Sequence, residues 1–586
     1  MFRKSGEPGE LRAAIGRYRT AFAAVGLLSA LLNILLLGGS IYMMLIYDSV
    51  LPSHSLPTLI GLLVMLVGVY AFQGMFDQMR THTLNDIANG FDLQLSRRVQ
   101  EAMTDAALSG NRVGADGLAP MRDLANIRAF LSGSGPATLI DLPWILFFVG
   151  TLFLLHFWIG VTALAGSIAL FSLTLVTEHV VRKPTTQLAP IAGNRNALAE
   201  TQIRHSEMLA SMGMRTRLLD RWDAVNRQHL AAHHALSRTV ASLGGVSKIG
   251  RMLLQSLILT VGAWLVIEGK ATGGVIFASS LLSARALAPV DQAIANWRGF
   301  GAAREGWRRL DALLATVPAR KPHQIALPAP QQSLSVNQLY LAPPGTERIT
   351  LNDINLHLEA GDGLAVIGPS AAGKSSLGRA LLGIWRPLRG AVRMDGAALD
   401  QWDMDVLGEN MGYLPQTVEL LEGTISDNIA RFSSEVSSEH VIAAARAAGV
   451  HEMIVQLPQG YDTRVGPGGG GLSMGQQQRI GLARALYRDP FLVVLDEPNS
   501  NLDPDGDAAL QNAIASVRAR KGIVVVIAHR HSALANANKV LMLRDGRVAA
   551  FGPRDEVLAQ LQGRPVAVPS TPGGTPGTPS PAPRAA

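Results

Sequence analysis

At 586 residues the chain exceeds one ordinary domain, and two or three units are expected. It is 48% hydrophobic but only 17% charged, well under the roughly one-quarter of a soluble domain, so part of it belongs in lipid. With no cysteine, a disulfide framework, a thiolate metal site and a cysteine nucleophile are excluded from this polypeptide. The net charge of +7 does not read as nucleic-acid binding. The basic residues flank apolar spans and do not interleave with exposed aromatics, so membrane topology accounts for them better.

In chain order, residues 1–20 form a basic segment holding Arg3, Lys4, Arg12, Arg17 and Arg19. Ala21 to Tyr47 then carries no charge, more than the ~20 residues a bilayer-crossing helix requires. A cleavable signal has an apolar core of only about 7–15 residues, which argues against a signal peptide. A second span covers Leu56 to Phe76, and the stretch Leu142 to Thr177 is too long for one helix. It reads as a hairpin of spans three and four, with a tight turn near His156. The fifth span is Ile249 to Ile267 and the sixth is Gly273 to Trp297, which contains Arg285 and Asp291. Those two charges require either a helix that continues past the bilayer or a position facing the bundle interior.

Lys and Arg set the orientation. Arg80, Arg97, Arg98, Arg112, Arg122 and Arg128 lie between spans two and three. The segment between spans four and five is also basic, from Arg182 to Arg238. The loop Asp48 to Ser55 and the turn at His156 have neither residue type. The N-terminus, both long segments and everything after span six are therefore expected in the cytoplasm. Each segment, about 60–70 residues of helical pattern, is expected to extend the spans toward a nucleotide-binding domain. The turns are expected near Arg122-Asp123-Leu124 and Ser206-Glu207-Met208. A six-helix transmembrane domain over 21–314 is followed by a Pro-broken linker over 315–333. An α/β unit follows over 334–562, where short β-branched runs alternate with amphipathic helices. The Pro/Gly/Thr-rich tail 563–586 is expected to be disordered.

Chemistry concentrates in the α/β unit. Gly368, Pro369, Ser370, Ala371, Ala372, Gly373, Lys374, Ser375 and Ser376 follow the apolar run Leu364–Ile367 and precede a helical segment. That strand–loop–helix context is what a P-loop needs. Glycines let backbone N–H groups wrap phosphates, and the helix start adds partial positive charge. Lys374 would reach the β- and γ-phosphates of ATP, and the Ser375 hydroxyl would bind Mg²⁺. About 120 residues on, the run Phe491 to Leu495 ends in Asp496-Glu497. Asp496 is thereby placed by the metal and Glu497 beside a water in line with the γ-phosphate.

Between these motifs, Leu472-Ser473-Met474-Gly475-Gln476 resembles the signature sequence of ABC transporters, with Met474 where a second glycine is usual. Tyr413-Leu-Pro-Gln416 resembles the Q-loop, Asn499-Ser-Asn-Leu502-Asp503 the D-loop, and Ile527-Ala-His529-Arg530 the switch histidine. The elements stand in the family's order. The resemblance implies a membrane all-α six-helix exporter domain followed by an α/β P-loop ABC nucleotide-binding domain. It also implies a composite site: Ser473, Gly475 and Gln476 of one copy close on ATP held by the Lys374 loop of a second copy. By the same resemblance Gln416 joins Ser375 and Asp496 at Mg²⁺ and couples the γ-phosphate to the membrane helices. His529 would hold the γ-phosphate and attacking water in register with Glu497.

One element departs from the family. The aromatic that usually stacks adenine aligns with Pro343. Tyr340, three residues earlier along a strand, is expected on the opposite face.

Four further segments resemble the type I secretion exporters that serve bacterial proteases and related repeat proteins. They are Ile46-Tyr-Asp-Ser-Val-Leu-Pro52, Asp141-Leu-Pro-Trp144, Ala342-Pro-Pro-Gly345 and Asn499-Ser-Asn-Leu502. Such exporters move an unfolded polypeptide with a C-terminal signal across the inner membrane. They act with a periplasmic adaptor (a membrane fusion protein) and an outer-membrane channel. The alternative is an exporter of lipids, peptides or hydrophobic small molecules. About 20 residues precede the first span and cysteine is absent, so no leader peptide can be processed by a cysteine mechanism.

Overall fold

The computed structural model describes residues 9–110, 117–319, 327–466, 471–500, 502–528 and 535–561. It divides near residue 320 into two compact units. The expected tail and the segment 320–326 of the expected linker lie outside the described residues.

The first unit is helical. It contains α1 (Glu10–Gly16), α2 (Arg19–Leu35) and α3 (Leu37–Leu45), a π-turn at Ile46–Val50, and the single turn α4 (Leu51–Ser53). After these come α5 (Leu56–Leu108), α6 (Ala119–Ser132), α7 (Gly135–Asp141), α8 (Trp144–Leu155) and α9 (Phe157–Arg204). The unit closes with α10 (Ser206–Ser211), α11 (Arg215–Ile267), α12 (Gly273–Ala295) and α13 (Trp297–Thr316). The helix α5 has 53 residues, about 80 Å of rise against the roughly 30 Å of a hydrocarbon core. Its two halves differ as that length demands. Leu56, Val64 and Met65 are exposed, whereas Leu84, Ile87, Phe91, Leu95, Val99, Ala102 and Ala106 are buried. The buried set recurs every three or four residues, the stripe of a helix packed against protein. From Phe91 to Ala106 it meets Leu11 of α1, Leu124 and Ile127 of α6 and Leu310 of α13, while Leu84 and Ile87 pack with Val25 of α2 and Ala137 of α7.

Among the described residues five helical stretches are long and apolar enough to cross a membrane, and a sixth crossing requires the bent pair α7 and α8. The third span therefore does not start at Leu142 as expected. The 12 residues of α8 cover only about 18 Å, and the pair is long enough to cross only with α7 added across a 40° bend. Pro143 at the junction cannot donate a backbone N–H, which accounts for the break. Between α8 and α9 the chain breaks at His156, whose backbone is extended and whose Nδ1 accepts from the Trp158 N–H. In the sixth span Asp291 pairs with Arg251 of α11 at 2.9 Å.

One expected turn is misplaced. Arg122-Asp123-Leu124 lies inside α6, and the reversal falls between Leu108 and Ala119, with 111–116 outside the described residues. Pro120 in the first turn fits a helix start. Asp123 is buried because Arg309 of α13 grips it with two bonds of 2.5 and 2.8 Å. Asp123 and Leu124 thus sit in a packed interface while Arg122 stays exposed. The second reversal is made by α10, between Arg204 and Arg215.

The second unit is α/β. Its strands are β1 (Ser333–Leu341), β2 (Leu351–Glu359), β3 (Gly363–Ile367), β4 (Arg389–Met394), β5 (Ala397–Ala398) and β6 (Met411–Leu414). The remainder are β7 (Gly423–Thr424), β8 (Arg464–Val465), β9 (Leu492–Asp496), β10 (Ile523–Ile527), β11 (Lys539–Arg544) and β12 (Arg547–Pro553). The helices are α14 (Lys374–Leu381), α15 (Met404–Glu409), α16 (Ile425–Ile429), α17 (Ser438–Ala447), α18 (His451–Val455), α19 (Met474–Leu486), α20 (Pro504–Ala519) and α21 (Arg554–Leu561). The main sheet runs β12-β11-β3-β10-β9-β6. Its neighbours are parallel except β11 and β12. Both β9 and β10 are buried along their whole length, as near-continuous Val/Ile/Leu runs require when a sheet is covered on both faces.

Candidate functional site

The register of the parallel strands gathers the motifs. Ile527 pairs with Asp496 on one side and with Val366 on the other, and Leu414 pairs with Leu495. The ends of β3, β6, β9 and β10 therefore align, and the residues that follow them emerge at one sheet edge. That carboxyl edge is where open α/β sheets bind ligands.

From β3 the chain enters the loop 368–373. Gly368 has φ 150°, and a Cβ there would lie 2.2 Å from the Leu543 carbonyl oxygen. Gly373 has φ 97° with equally little room beside Leu351. Pro369, Ser370 and Ala371 form the exposed tip, Ala372 is buried, and Ser376 is half-buried on α14. Ala371 has φ 65° and Glu497 φ 50°, left-handed conformations that L-residues adopt at a cost and that cluster at functional sites.

Lys374 is 6% exposed. Its Nζ donates to the Gly368 and Pro369 carbonyls, each at 2.9 Å. Burial pushes its pKa down, while the charges of Glu497 and Asp496 pull the other way. Asp496 is 2% exposed and accepts from the Ser375 hydroxyl at 3.2 Å. Burial raises its pKa and the neighbouring Glu497 adds to the rise, against Ser375, Arg379 and Lys374. The Gln416 Nε2 donates to Glu497 Oε2 at 3.1 Å. Lys374, Ser375, Asp496, Glu497 and Gln416 thus form one constellation, in which Gln416 addresses Glu497 rather than the Ser375–Asp496 pair. His529 lies outside the described residues.

The signature residues stand apart, at the start of α19. Ser473 caps that helix: its Oγ accepts from Gln476 N at 3.3 Å, and its N–H donates to Gln476 Oε1 at 2.9 Å. This reciprocal box fixes the helix start that carries Gly475. Met474 is 56% exposed. The helix is tied to the segment after Glu497, since Gln478 donates to the Pro498 carbonyl and Arg479 binds both Asp503 oxygens at 2.8 Å. Asp503 in turn caps α20 through Gly506 N at 2.9 Å.

One residue near the carboxylates, Arg379 of α14, escaped sequence reasoning. The phenol of Tyr413, in the Q-loop segment, is pushed up first by burial and then by Asp496, and Arg379 opposes that rise. Arg379 belongs to no spacing that signals it. The opposite-face expectation for Tyr340 also fails as reasoned. The strand β1 ends at Leu341, so Pro343 is not on it, and β1 shifts register around Gln338. Tyr340 instead lies under Arg389, 5.8 Å from the guanidinium to the ring centre.

The hydroxyl of Ser375 beside the carboxylate of Asp496 is a hard oxygen donor set, which fits Mg²⁺ shared with substrate phosphates. Among the described residues no cluster of three His, Cys, Asp or Glu forms a metal cage. That also fits Mg²⁺, which is usually held by one or two carboxylates and phosphates. The glycine cradle and the buried lysine fit a nucleoside triphosphate.

A phosphate loop, paired carboxylates and a separately capped signature helix, joined to a multi-span helical unit, define a membrane-embedded ATP-hydrolysing transporter. The family model for the ABC transporter transmembrane region matches residues 22–290, and that for the ABC transporter matches 351–500. The type I secretion system ATP-binding protein PrsD of Rhizobium meliloti (strain 1021) is 49% identical over 96% of both chains. The cyclolysin secretion/processing ATP-binding protein CyaB of Bordetella pertussis is 29% identical over 93% of this chain and 77% of its own. The leukotoxin translocation ATP-binding protein LktB of Mannheimia glucosida is 28% identical over 94% and 78%. A bacterial Atm1-family ABC exporter with ATP bound superposes with a TM-score of 0.78 at 23% identity, covering 94% of this chain and 99% of that one, which shows the fold. The chain belongs to the ABC transporters, in the branch of type I secretion system ATP-binding proteins.

Proposed function

We propose that two copies of this chain use ATP to move an unfolded polypeptide, carrying a C-terminal signal, across the inner membrane. A periplasmic adaptor and an outer-membrane channel would complete the conduit. The observation that carries this reading is 49% identity over 96% of the chain to a type I secretion ATP-binding protein.

Within each copy Lys374 and the loop 368–373 bind the triphosphate, and Ser375 and Asp496 hold Mg²⁺, which neutralises phosphate charge when bound. Glu497 accepts the proton of the attacking water. Gln416, bonded to Glu497 at 3.1 Å, links that base to the loop following β6. Ser473, Gly475 and Gln476 close the nucleotide of the second copy, and His529 aligns the γ-phosphate with Glu497. The capping box leaves the α19 N-terminus with a fixed direction, which suits a surface that meets a phosphate from outside its own chain. Pro343 aligns with the family's adenine-stacking aromatic, a substitution that bears on base selectivity more than on hydrolysis.

The test is ATP turnover in lipid nanodiscs, with Glu497→Gln as the blank. C-terminal peptides of candidate secreted proteins are compared with lipids and hydrophobic drugs. Stimulation by the peptides alone supports protein secretion. Stimulation by lipids or drugs alone replaces it with small-molecule export and leaves the ATPase assignment intact.

A further inference from the structure

The helical unit holds a polar chamber of about 590 Å³, within the range of a ligand pocket. Four helices build it. Asn33 comes from α2, Tyr70 to Arg80 from α5, Asp141 from the end of α7, and Arg285 to Gln292 from α12. Most of its ionisable groups are already matched. Arg80 donates to Asp77 at 2.7 Å, to Asp141 at 2.9 Å and to the Ser29 hydroxyl at 3.1 Å. Asp141 also accepts from Asn33 at 3.0 Å.

Arg285 is different. It lines the chamber, stays exposed to it, and has no ion-pair partner among the described residues. It sits about 18 Å along α12 from Gly273, well inside the apolar stretch Gly273–Ala293. A cation at that depth is costly unless it faces a wet cavity, and such residues mark substrate pathways. The acidic residue of this span, Asp291, is taken by Arg251. The same chamber is lined by Gln73, whose amide has no hydrogen-bond partner among the described residues, and by Tyr70, groups that match the donors and acceptors of a peptide backbone.

We propose that this chamber binds an extended, carboxylate-bearing segment of the exported polypeptide, with Arg285 as the cation that receives the carboxylate. The Asp77–Arg80–Asp141 cluster holds α5 and α7 in place around it. The inference rests on the protein-secretion reading and adds a chemical preference to it.

The test uses the full-length chain in nanodiscs of neutral lipid. Fluorescent peptides identical except for Glu→Gln replacements are titrated by anisotropy. The Glu peptide is expected to bind roughly tenfold tighter, the scale of one charge-assisted contact. Arg285→Gln should erase that difference, Arg285→Lys should keep it, and Arg285→Glu should reverse it in favour of a Lys-substituted peptide. The reversal cannot arise from misfolding. A Glu preference that survives in Arg285→Gln overturns the site while leaving protein secretion standing. A difference that appears only with anionic lipid overturns it in favour of a lipid headgroup. If no peptide of either kind binds the unaltered chain, the secretion reading falls together with the site.

Discussion

The sheet edge of the ATPase unit and the interior of the helical unit both concentrate charge, by opposite means. At the sheet edge the groups come from short motifs, and parallel register delivers them side by side: Asp496 and Glu497 are consecutive, and Lys374 and Ser375 are consecutive. In the helical unit the partnerships that join different helices link residues far apart in the chain. Arg80 meets Asp141, Asn33 meets Asp141, Asp123 meets Arg309, and Asp48 accepts from Gly274 N at 2.8 Å and from the Thr272 hydroxyl at 2.7 Å. The lesson is that charge in the first region serves chemistry on a bound group, and charge in the second mainly fixes helices against each other. Arg285 is the exception that points to a ligand.

The comparison is sharpened most by Glu497→Gln. Turnover should fall by about 10²–10⁴-fold, with ATP binding and the unfolding midpoint unchanged. Hydrolysis at the normal rate would move the base elsewhere. Lys374→Ala should weaken ATP binding itself by roughly tenfold or more, since charged hydrogen bonds to phosphate are lost. Equal affinity in a calorimetric titration would contradict the cradle.

In the helical unit the expected effect is on stability. Asp123→Ala takes from Arg309 the nearer of its two carboxylate partners and leaves Glu305 at 3.5 Å. The Asp123 carboxylate is only 5% exposed but Arg309 39%, so the cost is about 1–3 kcal/mol, below that of a fully buried pair. It should appear as a lower unfolding midpoint with ATP turnover per folded molecule retained. Loss of turnover at an unchanged midpoint would break the comparison. Asp48→Ala removes the carboxylate that caps α12 and should cost about 1 kcal/mol, read in the same unfolding experiment.

The smallest effect expected is a pH dependence. Burial opposes ionisation of Asp362, yet hydrogen bonds from Lys539, the Glu359 N–H and Asn538 outweigh it and hold the pKa below its ordinary 3.8. A depressed carboxylate stabilises the fold above its unfolded pKa and loses that contribution as pH falls through the folded one. Asp362→Asn should therefore flatten the acid limb of the stability curve below about pH 4 and lower stability at pH 7. An unaltered acid limb would remove Asp362 from that balance.

By itself the sequence determined what repeats locally. The uncharged runs set the number of crossings, because lipid admits a helix only when about 20 apolar residues are consecutive. Loop 368–373 and the Asp496-Glu497 pair were legible because phosphate and metal chemistry needs fixed residues within one strand–loop–helix unit. Only the tertiary structure decided which charges meet across the helical bundle. A segment such as Arg122-Asp123-Leu124 looks like a turn until a distant Arg309 pairs with its carboxylate. Likewise Leu142 looks like the start of a span until α7 and α8 are seen to meet there at a 40° bend. The physical reason is that a charge can be buried once a partner arrives from anywhere in the chain, and no local periodicity records that partner.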